Sequence, residues 1–208
     1  MKGRPGLRVW FFRAMLDFFG RHRVLPAAGL QIQILLGTTA RAFGVRSRPV
    51  WYLPREKALR AYAAFTLACM RGYAGKGIQP EVSRRLYPKE SRLKCGTCDI
   101  QPEVSRRLYR HAYRLGSRIR AVTGFTTPED QTRLVFYLYR LIGIRMTGRL
   151  PGMVTISSCY FSRCYTPEQC AVMSAMDAGI MAGICGGGRL VFTERITEGC
   201  GRCCARMR

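Results

Sequence analysis

Hydrophobic positions along this chain recur at two periods, and the change from one to the other falls near residue 150. Over residues 7–19, Leu7, Trp10, Phe11, Met15, Phe18 and Phe19 stand at near-helical spacing, with Arg8, Arg13, Arg21 and Arg23 between and after them. Two uses fit such a helix: resting on an anionic membrane surface, or packing its aromatic face onto a core. The apolar stretch from Leu25 to Phe43 is interrupted by Gly29 and Gly37 and predicts one helix or a broken one. Pro54 to Met70 is a clearer helix: Pro54 opens it, and Ala58, Tyr62, Phe65 and Cys69 recur at three- and four-residue steps. Glycines around 73–77 end it. Thr127 then stands as an N-cap before Pro128, with Glu129 and Asp130 in the first turn. That helix runs through Leu134, Phe136, Tyr137, Leu138 and Leu141 to Gly143. Apolar residues nearly encircle it, so it is expected to be buried.

From Gly152 the period shortens. Met153 to Tyr160 is β-branched and aromatic with alternation, which reads as a strand. Thr166 and Gln169 form a capping box around Pro167, so a helix is expected from Pro167 to about Ile184, ended by Gly186, Gly187 and Gly188. Arg189 to Thr197 alternates as a second strand. Residues 1–150 are therefore a helical region, and residues 151–208 a small strand–helix–strand unit. The fold class is α+β, and the two parts are expected to form one continuous globular domain.

One helix is complicated by a repeat. Ile78 to Tyr87 recurs without a mismatch as Ile100 to Tyr109, displaced by 22 residues. A solenoid would show several degenerate copies; two perfect copies point to a local duplication, with 88–109 as the inserted segment. Removing it joins Tyr87 to Arg110 in one helix that continues through His111, Tyr113, Leu115 and Ile119. The insert also holds Cys95-Gly96-Thr97-Cys98, half of a zinc or redox motif that lacks its second pair.

Charge changes the picture next. The 208 residues carry 35 Lys and Arg against 12 Asp and Glu, a formal net charge of +23. Such a surplus draws nucleic acid, anionic lipid or acidic ligands. The basic residues are spread along the chain instead of gathered on one element with aromatic residues between them, so specific nucleic-acid recognition is not expected. Peripheral membrane contact through the N-terminal helix fits the same charge. Ten cysteines are below the density of a disulfide scaffold, and the N-terminal apolar stretch is broken by Arg13 and Asp17 before it makes a secretory signal. The expectation is a cytoplasmic protein with free thiols.

Candidate chemistry lies in the C-terminal unit. At 100° per residue, the helix that starts after Thr166 has a small face of Ala171, Ala175, Gly179, Ala182 and Gly183, suited to close approach by a sheet or another helix. Its other face carries Cys170, Met173, Ser174, Asp177, Met181 and Ile184. Asp177 is the only charge between Glu168 and Arg189. A carboxylate among such neighbours is costly unless it is paired or hydrogen-bonded, and its pKa shifts accordingly. It caps a loop, pairs with an arginine, or belongs to a site with Cys159 and Cys170.

The order of these features resembles the C-terminal half of the L-2-amino-thiazoline-4-carboxylic acid hydrolase-like family: Cys159, a capped helix start, Cys170, Asp177, a glycine-rich turn, Arg195-Ile196-Thr197-Glu198-Gly199 and then Cys203. The resemblance covers residues 153–204. It implies hydrolysis of a carbon–nitrogen bond in a small cyclic amidine-like molecule, with Cys159, Cys170, Asp177 and Cys203 as matching positions; no cofactor is expected. No histidine lies beyond His111, so the usual base for a cysteine nucleophile is missing. Asp177 is left to activate water or hold a substrate nitrogen, with Cys159 or Cys170 as thiol or orienting group. Two other classes compete. Cys200, Cys203 and Cys204, with Cys159 or Cys170, are candidate ligands for zinc or an iron–sulfur cluster. The charge alone suits a basic helical protein that binds nucleic acid or a membrane surface without catalysis.

Overall fold

A computed structural model of the chain describes residues 7–22, 28–74 and 101–208. Among these are six α-helices and a four-stranded antiparallel sheet, so the α+β class is as expected. In chain order they are α1 (Leu7–His22), α2 (Ala28–Phe43), α3 (Arg55–Ala74), α4 (Gln101–Thr123), α5 (Pro128–Leu141), β1 (Ile144–Gly148), β2 (Met153–Cys159), α6 (Pro167–Cys185), β3 (Leu190–Glu194) and β4 (Cys203–Met207). Single 3₁₀ turns at Tyr160–Arg163 and Ile196–Glu198 follow β2 and β3. No helix among the described residues is long and apolar enough to cross a membrane.

The sheet order is β1-β2-β4-β3, so the chain's last strand lies between the two the alternation identified. Register places Val154 opposite Ala205, Ile156 opposite Cys203 and Leu190 opposite Met207, and all six side chains are buried on one face. That face continues the helical core without a break, through Leu134, Val135, Ile180 and Ile184 to Leu35, Leu59 and Leu108.

α6 is the central helix. Thr166 Oγ1 accepts the Gln169 N–H at 3.3 Å while Gln169 Oε1 accepts the Thr166 N–H at 2.9 Å, completing the capping box. Gly186, at φ 83°, ends it in a left-handed conformation that suits glycine. Its small face meets α4. A Cβ at Gly179 would stand 2.5 Å from the Tyr109 carbonyl oxygen and 2.7 Å from the Ala112 Cβ. Gly183 lies equally close to the Tyr113 carbonyl oxygen, and Gly116 of α4 to the Ile180 carbonyl oxygen. Side chains on either helix would force the two axes apart.

Several expectations need correction. α5 buries one side only: Leu134, Val135 and Tyr139 are inside, but Arg133 and Arg140 are exposed, since two basic residues interrupt the apolar ring. α2 needs none: it is one continuous helix through both of its glycines, the unbroken of the two expected forms. α1 packs by Val9 and Phe12, and Arg13 Nε donates to Asp130 Oδ1 at 2.8 Å, while Leu7, Trp10 and Phe11 stay exposed. The packed stripe is therefore narrower than the run of aromatic residues. The second copy of the repeated decapeptide supplies the first turns of α4, where Val104 and Leu108 are buried. The first copy, with Cys95 and Cys98, lies outside the described residues.

Candidate functional site

The residues picked out in sequence converge. Cys159 ends β2, where it turns into the 3₁₀ segment, and Cys170 and Asp177 lie two helical turns apart on α6. All three line one cavity of about 70 Å³. Its other walls come from α2 (Gln31, Leu35), α3 (Tyr62), α5 (Leu138, Tyr139), Ile142, Ile144, the Phe161 and Tyr165 rings, and Met173, Met176 and Ile180 of α6. Phe161 and Tyr165 stack with ring centroids 5.6 Å apart, and Tyr62 meets Phe161 edge-on at the same separation. A cavity needs on the order of 10–15 Å³ to hold one water, so this space accepts a few waters or the end of a small ligand.

Asp177 supplies the carboxyl of this space. Tyr139 Oη donates to its Oδ1 at 2.8 Å. None of the ion pairs among the described residues involves it, so pairing with an arginine does not explain it. Asp177 as a residue keeps some accessible surface, but protein atoms crowd its carboxyl on the cavity wall. Burial raises its pKa, the Tyr139 hydroxyl partly offsets that, and the result is about 6. This carboxyl changes charge close to neutral pH.

The thiols behave differently. Burial pushes the Cys159 thiol up to about 12, with the Asp177 charge adding to it and the Phe161 and Ser162 backbone N–H groups opposing it. Burial, helped by Asp177, also raises Cys170 and Cys203. These cysteines are neutral thiols, and a nucleophilic cysteine must be a thiolate. Cys203 does not line the cavity; its sulfur accepts the Ile196 N–H at 3.3 Å.

The phenols were not anticipated. Tyr62 hydrogen-bonds with Thr39 Oγ1 at 3.1 Å and reaches Met176 Sδ at 3.4 Å; Tyr165 hydrogen-bonds with Thr66 Oγ1 at 2.6 Å. Burial raises Tyr62, Tyr139 and Tyr165, and Asp177 reinforces this for the first two, so all three remain protonated donors. Tyr62 does fall in the helical pattern of α3, but nothing in that pattern marks its hydroxyl.

The cysteine tail is not a gathered ligand set. Cys203 and Cys204 are successive residues of β4 and project to opposite faces, and Cys200 precedes the strand. Among the described residues no three His, Cys, Asp or Glu side chains are grouped to hold a metal ion. Compared with family models, curated proteins and solved structures, the chain matches none.

Proposed function

We propose that this protein binds a small nitrogen-containing molecule against Asp177 and hydrolyses one of its carbon–nitrogen bonds. The observation that carries the reading is a carboxyl at about pKa 6 in a small, largely apolar cavity, held by Tyr139 and without a cationic partner among the described residues. Above that pH the carboxylate lacks a counter-charge, and an amidine-like group supplies both the charge and the N–H donors it needs. A base with a pKa near the working pH is also suited to taking a proton from water. In the step proposed, Asp177 accepts that proton as the water oxygen bonds to the amidine carbon. The carbon–nitrogen bond then breaks, and the proton leaves on the departing nitrogen. Tyr139 holds the carboxylate in position. Cys159 and Cys170, as neutral thiols, orient the ligand and do not attack it.

The test uses acetamidine and 2-amino-thiazoline-4-carboxylic acid as probes, with products followed by mass spectrometry between pH 5 and 8. Wild type is expected to hydrolyse at least one, at a rate that rises through about pH 6, where Asp177 ionises. Asp177→Asn is expected to lower that rate by on the order of a hundred-fold, the usual share of a general base, with its unfolding transition still cooperative. An Asp177→Asn protein with an unchanged ligand profile ends the reading, as does a wild type that acts on neither probe.

A further inference from the structure

The far side of Cys159 has the opposite electrostatic character. Two adjoining grooves, of about 780 and 340 Å³, share Arg55, Glu56, Gly143, Ser158 and Arg163. The larger adds Arg140 and Arg145, and the smaller reaches Cys159, which also lines the Asp177 cavity. Four arginines from α3, α5, β1 and the 3₁₀ turn thus face one region that holds a single acid, Glu56. Arg55 is anchored: its Nε donates to the Leu141 carbonyl oxygen at 2.8 Å and its Nη2 to that of Arg140 at 3.1 Å, at the C-terminal end of α5. The rest of its fork of donors remains for a ligand. None of the ion pairs among the described residues uses Arg55, Glu56, Arg145 or Arg163.

We propose that this groove binds the phosphate group of a small phosphorylated ligand. One carboxylate would leave most of this positive charge uncompensated, whereas a phosphate dianion or a diphosphate matches it and accepts guanidinium N–H pairs bidentately. Ser158 adds a hydroxyl on the same wall. The inference is independent of the hydrolytic reading of Asp177.

The experiment is calorimetric titration of the full chain with inorganic phosphate, pyrophosphate and acetate at physiological salt. Phosphate and pyrophosphate are expected to bind, pyrophosphate more tightly, and acetate not to bind. The double variant Arg145→Ala/Arg163→Ala is expected to weaken pyrophosphate about a hundred-fold, since each of the two lost charge-assisted bonds amounts to about ten-fold. Both side chains are exposed, so its unfolding midpoint should stay near that of wild type. Arg114→Ala/Arg118→Ala removes the same charge from the exposed side of α4 and is expected to leave affinity unchanged. Asp177→Asn is expected to leave it unchanged too. Equal weakening by the α4 variant would mean diffuse attraction to a cationic chain, and acetate binding as tightly as phosphate would remove the phosphate assignment. Either result overturns the proposal.

Discussion

Two aspartates shape the stability of this protein in opposite directions as pH changes. Burial raises Asp177 to about 6, above the 3.8 of an ordinary aspartate. Its neutral form is therefore the one the fold prefers. The stability this provides is complete below about pH 4 and is lost as pH rises through about 6. At Asp130 burial also pushes upward, but hydrogen bonds from Arg13 and Thr127 and the Arg13 charge outweigh it and hold the carboxyl below 3.8. Its stabilisation is present above that value and is lost as pH falls. Asp177→Asn keeps an acceptor for Tyr139 and removes the titration. The variant is expected to match wild type near pH 4 and to exceed it near pH 7 by up to roughly 3 kcal/mol, the free-energy equivalent of the rise to about 6. Urea midpoints across that range test this, and parallel curves would show that Asp177 is solvated. Asp177 was legible in sequence because a lone charge on an apolar helix needs an explanation. Tyr139 was not, because a tyrosine in an apolar helix looks the same whether its hydroxyl meets a carboxylate or water.

At the scale of elements, the crossing of α4 and α6 sets the position of the site. Gly116, Gly179 and Gly183 let the two backbones touch, and this fixes where α6 presents Cys170 and Asp177. Gly183→Ala places a methyl group against the Tyr113 carbonyl oxygen and the Ser117 N–H at 2.7 Å, both backbone groups that cannot swing aside. A loss of about 1–3 kcal/mol is expected, the usual range for overpacking, read from the denaturant midpoint. Gly187→Ala, with open space around the position, tests the alternative that any glycine loss in this region is harmful; its φ of 149° makes it a demanding control. If Gly183→Ala is no more costly than Gly187→Ala, the helix crossing is looser than its geometry indicates. The small face of α6 was readable from spacing alone. Its partner was not, since spacing describes one helix and is silent about what approaches it.

Over the whole molecule, legibility followed how strongly each segment is patterned. α5, α6 and β2 carry caps or alternation and were found to within one or two residues. β3 ended sooner than its alternation indicated, because a register shift between Phe192 and Glu194 breaks the ladder before the Ile196–Glu198 turn. β1 is five residues long and follows directly on α5, so its period had no room to appear. β4 has no β-branched residue, and Cys203 and Cys204 drew attention as metal ligands instead of as successive positions of a central strand.

Because the two decapeptides are identical, deleting 88–109 and deleting 78–99 give the same chain. That chain retains the sequence of α4 complete, including Val104 and Leu108, whose side chains pack in the core. Four residues then connect the end of α3 to the start of α4, within the range of helix–helix connections in compact domains. The shortened protein is expected to unfold in one cooperative transition and to keep the pH dependence set by Asp177, since every described cavity-lining residue remains. Loss of the cooperative transition would instead mean that residues 78–99 are required by the core. A folded shortened chain without the Asp177 pH signature would mean that they influence the site from outside its walls.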